Sequence, residues 1–256
     1  VSRVTAAVLA DSSTLIGRSI RLGRRSIDTV ITSILLPLML MALFVYVFGG
    51  ALDPGGDYID YVVPGIILLC VGFGAASTAV PVSADMTGGM IDRLRSMPIA
   101  GSAVLTGHVV ASVARNAIST VIVVAAAVLM GFRPDAGPVE WLAMTGLLAA
   151  YVLALSWLAA ALGIVARSAE SANAVGFFML FVPYLSSAFV PTDTMPAGLR
   201  AISDHQPVTP IIETARGLLT GTEIGSSGWI AVAWCTGLLV TSVVLAGMMY
   251  RRRTAA

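Results

Sequence analysis

The sequence predicts an all-α membrane protein: six transmembrane helices, an N-terminal helix in the membrane interface, a short cytoplasmic amphipathic helix and an outer re-entrant helical hairpin. Three observations carry this. Of the 256 residues, 57% are hydrophobic and 11% charged, less than half the charge of an ordinary soluble domain. The mean hydropathy is +0.90. The apolar residues are gathered into runs of about 20, the length an α-helix needs to cross roughly 30 Å of hydrocarbon.

Six segments meet that length, at about 29–49, 62–84, 108–131, 141–166, 172–190 and 229–250. They divide the chain into an N-terminal stretch 1–28, a single transmembrane domain 29–250 and a basic tail 251–256. All fifteen basic residues are arginine, and their distribution orients the spans. Arg3, Arg18, Arg21, Arg24, Arg25, Arg93, Arg95, Arg115, Arg167, Arg251, Arg252 and Arg253 fall on one side; Arg133, Arg200 and Arg216 fall on the other. Basic residues are retained on the cytoplasmic face, so both termini are expected in the cytoplasm. No small-residue cleavage site follows the first apolar run at a suitable distance, and no removable targeting segment is expected.

The N-terminal run DSSTLIGRSIRLGRRSID (11–28) forms an amphipathic helix at 100° per residue. Arg18, Arg21, Arg24 and Arg25 occupy one arc, with Leu15, Ile16, Ile20, Leu22 and Ile27 opposite. Ser12 or Ser13 can cap it. Such a helix lies at the headgroups, and it serves either as an orientation signal or as a docking surface. The spans that follow carry Pro37, Pro81 and Pro183, tolerated in a bundle where neighbours satisfy the freed backbone groups, and kinks are expected there. Between the second and third spans, Met90, Ile91, Leu94 and Met97 share one helical face; Asp92, Arg93, Arg95 and Ser96 take the other, and Pro98 ends the helix. Its apolar face suits either the inner leaflet or a partner's groove. In the third span, Arg115 either snorkels to the headgroups or lines a pathway. The last outer loop, 191–228, contains PVTPIIETARGLLTG, with Ile211, Ile212, Ala215, Leu218 and Leu219 at helical spacing and Glu213 one turn before Arg216. Pro207 and Pro210 open this helix, which is too short to span, and Gly221 ends it.

Catalytic chemistry is sparse. His108 and His205 fall on opposite sides of the expected topology, and no GxSxG, HExxH or intramembrane carboxylate cluster is present. Few ionisable groups within spans also argues against a proton-coupled pump. Cys70 and Cys235 lie inside apolar runs and read as small hydrophobes. A P-loop needs a lysine, and the chain has none. If ATP drives this protein, another polypeptide binds the ATP.

The stretch GGMIDRLRSMPIAGSAVLTGHVVASVARN resembles the signature of type-2 ABC transporter permeases of the daunorubicin-resistance type, in which G-x-x-[DE]-R-[LF]-R-x-[LM]-P precedes the third span. HQPVTPIIETARGLLTG resembles the outer-loop segment before the last span of that family. Asp85, Met86 and Thr87 stand where the family often has Glu-Arg ahead of the glycine, which leaves a docking role for that acid open. The resemblance implies a non-catalytic subunit of an ATP-hydrolysing exporter in the bacterial plasma membrane. It makes Met90, Ile91, Asp92, Arg93, Leu94, Arg95, Met97 and Pro98 a coupling helix docked in a separate ATP-binding subunit that holds the ATP and Mg. It also implies pairing with a second permease, identical or paralogous. Their interface would hold a substrate cavity on faces carrying Phe44, Phe73, Phe177, Phe178 and Tyr184. Apart from the resemblance, the Glu213 and Arg216 pair on the outer side either gates exit or only stabilises the outer hairpin. The expected partners are those subunits, membrane lipid and an amphiphilic substrate; no nucleic acid is expected. A non-transporting scaffold or sensor docking an ATPase-like partner is the alternative.

Overall fold

The computed structural model describes residues 27–52, 58–88 and 101–255, and no strand occurs among them. Helix α1, Ile27–Ala42, continues through a π-helical stretch Leu43–Phe48 into Gly49–Leu52. Helices α2, Tyr58–Ala76, and α3, Ala79–Thr87, follow one another with a break at Ser77 and Thr78. Pro81 accounts for the break, because it has no N–H for the Ser77 carbonyl and its ring crowds that group. The Ser77 hydroxyl donates to the Gly74 carbonyl at 2.8 Å. Next come α4, Gly101–Leu129, and α5, Pro138–Val165, whose first residue is a proline fixed in helical φ where no N–H is needed. Helix α6, Ala169–Tyr184, opens on a reciprocal cap between Ser168 and Ser171. Helices α7, Ala197–His205, α8, Val208–Thr220, and α9, Ser227–Ala255, complete the chain.

Five stretches are long and apolar enough to cross a membrane: Ser33–Leu52, Tyr58–Thr87, Val104–Leu129, Pro138–Val165 and Ser227–Arg253. The predicted fifth span, 172–190, is not one helix of that length. Helix α6 has 16 residues, about 24 Å at 1.5 Å per residue. It stops because the amide and hydroxyl of Ser186 both turn back onto the Pro183 carbonyl, the acceptor a continuing helix would give to residue 187. Residues 166–189 still join the two ends of the bundle. Ala166 accepts from Arg253 at one end, and Phe189 accepts from Tyr58 at the other.

Helix α2 is the centre of the bundle, buried without interruption from Val62 to Val71 and in contact with α1, α4, α5, α6 and α8. At the Arg216 end its core includes Tyr58, Phe132 and Phe189. Helix α8 is packed into that core through Ile211, Ile212, Ala215 and Leu219. It begins after Pro207 and closes on Gly221, whose φ of +70° is the left-handed cap that glycine supplies without strain. A smaller core at the Arg253 end joins Val82, Leu105, Val109, Ile164 and Ala246. Helices α5 and α9 pack extensively against each other. Of the interfacial helix expected at 12–28, residues 12–26 lie outside the described residues and 27 and 28 begin α1, and the helix expected at 90–98 lies wholly outside them.

Candidate functional site

At one end of the bundle, Glu213 and Arg216 are paired at 2.7 Å, as their spacing on α8 predicts. The spacing does not show that Arg216 is only 7% exposed. Its guanidinium carbon lies 3.8 Å from the Tyr61 ring centroid, a cation–π contact. Nε donates to the Tyr61 carbonyl at 3.1 Å and Nη2 to the Ser187 carbonyl at 2.8 Å. The Tyr61 hydroxyl donates to the same Ser187 carbonyl at 2.9 Å, and the Tyr58 hydroxyl to the Phe189 carbonyl at 2.8 Å. The cause is the chain reversal after α6. Residues 185–190 leave the helix inside the bundle, and their buried carbonyls need donors that hydrocarbon cannot provide. The planar fork of arginine reaches two acceptors and stacks on a ring at once, which an ammonium cannot do.

Beside this cluster runs a series of aromatic rings. Phe48 lies 5.6 Å from Phe44, Phe44 stacks on Phe189 at 4.3 Å, and Phe189 stacks on Tyr184 at 5.5 Å. Tyr184 leads to Phe181 at 6.4 Å and Phe181 to Phe177 at 5.2 Å. Of the five aromatics expected at a substrate cavity, Phe44, Phe177 and Tyr184 belong to this series. Phe73 is half-buried against the α2 core, and Phe178 is 75% exposed and outside the series. Phe48, Phe181 and Phe189 were not among the residues expected there. The i,i+4 spacing of 44 and 48 and of 177 and 181 signals the first two, whereas Phe189 lies beyond the helix and periodicity gives no sign of it. The rings Phe177, Phe181 and Tyr184 leave one face of α6 open, as Met39 and Tyr46 do on the first span.

At the opposite end, Asp85 Oδ2 and His108 Nε2 lie 2.9 Å apart and mostly buried. They sit on α3 and α4, the two helices from which residues 89–100 depart and return. Met90, Ile91, Asp92, Arg93, Leu94, Arg95, Met97 and Pro98 lie outside the described residues, as do Arg18, Arg21, Arg24 and Arg25. Arg253 donates to the carbonyls of Ile164 and Ala166, satisfying acceptors that the end of α5 leaves without helical partners. Arg115, midway along α4, is partly buried and has no ion pair among the described residues. Cys70 and Cys235 are both free and buried, and Cys70 Sγ donates to the Ser33 carbonyl.

The arrangement is therefore two polar junctions at the ends of an apolar bundle, with an open aromatic face between the first span and α6. Comparison with known proteins bears on what such a bundle is. The chain is 28% identical over 228 residues to the daunorubicin resistance ABC transporter permease protein DrrB1 of Streptomyces coeruleorubidus, covering 88% of this chain and 81% of that protein. It is 26% identical over 238 residues to the probable doxorubicin resistance ABC transporter permease protein DrrC of Mycobacterium tuberculosis, covering 89% of this chain and 83% of that one. A sequence model of the ABC-2 type transporter family matches residues 12–220, which take in both junctions except for the Arg253 contact. With that match over most of its length and five membrane-length apolar helices, this chain is a multi-pass membrane protein and belongs to the ABC-2 type transporter family.

Proposed function

We propose that the chain is the membrane subunit of an ATP-driven exporter, moving an amphiphilic drug or lipid outward from the cytoplasm or inner leaflet. The family match carries this reading, and both relatives named above are described as drug-resistance permeases. With no lysine to form a P-loop, the ATP and its Mg belong to a separate ATP-binding subunit. Residues 90–98 are the coupling helix that docks in that subunit, helped by the interfacial helix at 12–28. The Asp85–His108 pair supports this, because it ties together the two helices that would receive the motion.

Residues 166–189 complete a sixth crossing, the short helix α6 being extended by the turns that Arg216 and the tyrosines hold. Both termini are then on the same side, the cytoplasmic one by the arginine distribution, in a bacterial plasma membrane. Helices α7 and α8 form the outer re-entrant hairpin. Two copies, or this chain and a paralogue, meet through the open aromatic face of the first span and α6, and the substrate passes between them. Glu213 and Arg216 act as a latch on residues 185–190 rather than as a moving gate, since Arg216 is committed to two backbone carbonyls and a ring.

The test uses inverted membrane vesicles containing the chain with its cognate ATP-binding subunit and a fluorescent amphiphile. ATP-dependent accumulation is expected, and Leu94→Asp with Arg93→Ala should abolish it while the chain still inserts. Assembly with the ATPase and no accumulation of any amphiphile tested would replace the exporter by a non-transporting scaffold.

A further inference from the structure

Most arginines with described surroundings have an evident partner. Arg133 donates to the carbonyls of Val128 and Phe132, and Arg253 to that of Ala166. Arg200 pairs with Asp204, and Arg216 holds residues 185–190. Arg115 has neither a hydrogen bond nor an ion pair among the described residues, although it is partly buried.

Its depth rules out the usual remedy for a charge within a span. The Ser112 and Ser156 hydroxyls meet at 2.9 Å and fix the level of α4 against the antiparallel α5. Arg115, three residues beyond Ser112, is therefore level with about Leu153. From Leu153 to Ile164, whose carbonyl takes Arg253, is eleven residues, about 16 Å. The other end of α4, at Leu129, is about 21 Å away. An arginine side chain spans less than half the shorter distance, so it does not snorkel to headgroups beyond either helix end.

The position of Arg115 round the helix says where a partner can come from. It stands one turn before Ser119, whose hydroxyl meets that of Ser33 on α1 at 3.4 Å, and Ser112 and Ser119 on that side are buried. Round the other side, Ile118 and Ile122 are 60% and 40% exposed, on a helix long and apolar enough to cross a membrane. At 100° per residue, Arg115 falls on the border between the packed edge of α4 and its lipid-facing strip. Asp85, on the adjoining α3, is already paired with His108. A guanidinium keeps its charge, and its planar fork matches phosphate and carboxylate. Its counter-charge therefore arrives through lipid.

We propose that Arg115 is a binding site for the anionic head, phosphate or carboxylate, of an amphiphile in the bilayer, seated on the flank of α4 beside α1. The site goes beyond the export reading, because occupancy is a property of the chain alone.

The test is photolabelling of the full chain in lipid nanodiscs with two diazirine probes that share one alkyl chain, an alkyl phosphate and an alkyl trimethylammonium. Each carries its diazirine beside the head. The ratio of phosphate to ammonium labelling at residues 114–122 is expected to be about tenfold above that at the exposed stretch around Val240 and Val244, the gain from one charge-assisted hydrogen bond. Arg115→Lys should keep part of this preference, and Arg115→Gln should bring the ratio down to that at Val240. Equal ratios at the two places in the unaltered chain, or a preference that survives Arg115→Gln, overturns the site. The first comparison uses the unaltered chain and holds even if a variant fails to fold. Two arms then separate the sources of the anion. A resident lipid headgroup, drawn inward, requires added phosphatidylglycerol to displace the probe with no effect of ATP. The head of an exported molecule requires ATP to release the probe from the chain assembled with its ATP-binding subunit. Only this last arm rests on the export reading.

Discussion

Replacing Arg216 tests whether the end of the bundle is held by an ion pair or by a clamp on backbone. In Arg216→Ala the Ser187 carbonyl keeps the Tyr61 hydroxyl at 2.9 Å, so no acceptor is left wholly bare. The two lost hydrogen bonds are worth roughly 0.6–1.7 kcal/mol each by the measure of membrane proteins. The cation–π contact adds about 1–2 kcal/mol in a desolvated setting. Together these give a loss of about 3 kcal/mol. Glu213 is 38% exposed, and Glu213→Ala should cost less than about 1 kcal/mol, as for a partly solvated pair. Arg216→Lys should fall between them, retaining the charge beside Glu213 but not the fork or the stacking. The measurement is reversible unfolding of the purified chain in mixed micelles titrated with SDS, followed by tryptophan fluorescence. A clamp requires Arg216→Ala to exceed Glu213→Ala clearly. Equal costs for the two, or a cost for Arg216→Ala under about 0.5 kcal/mol, would refute the reasoning.

Four further outcomes follow from the packing and capping of the same helices. A Cβ at Gly65 would lie 2.7 Å from the Ala188 carbonyl oxygen, so Gly65→Ala should destabilise by about 1–3 kcal/mol by forcing residues 185–190 away. Gly72, on the same helix, has nothing within 4 Å of that position, and Gly72→Ala should be neutral or stabilising by up to about 1 kcal/mol in the same titration. A double-mutant cycle on Asp85→Ala and His108→Ala should return a coupling of about 0.5–3 kcal/mol; additive losses would mean the pair joins nothing. Ser168→Ala should cost about 1 kcal/mol through the lost cap of α6, seen as faster amide exchange confined to residues 169–172.

Most of the apolar architecture is legible in the sequence because hydrocarbon imposes one rule on every crossing, a run of about 20 apolar residues. Pro207, Pro210 and Gly221 likewise mark α8 through local backbone chemistry. What pattern misses is contact between distant stretches. The Tyr61 hydroxyl and its acceptor at Ser187 are 126 positions apart, and nothing local says that α6 ends early or that an arginine will be buried to tend the turn. The hydropathy of 172–190 stays high across Ser186 and Ser187, so the average conceals the Ser186 hydroxyl that turns back onto the Pro183 carbonyl where the helix stops. Asp85 and His108 are each unremarkable span-end residues; their pairing needs the register of α3 against α4. The interfacial arginines and the residues 90–98 carry the clearest amphipathic pattern, and they lie outside the described residues.

The burial of the central helix has a consequence for which changes the chain can absorb. In the best apolar window of α2 and α3, 89% of residues are enclosed by protein, against 22% in that of the last helix. Where a trimmed side chain on the last helix faces acyl chains, lipid flows in and fills the gap. A side chain trimmed at Leu68 or Ile66 leaves a void bounded by protein, which lipid has no route to repair. Sequence drift should therefore be slow along one crossing and nearly free along the outward face of another of equal hydropathy.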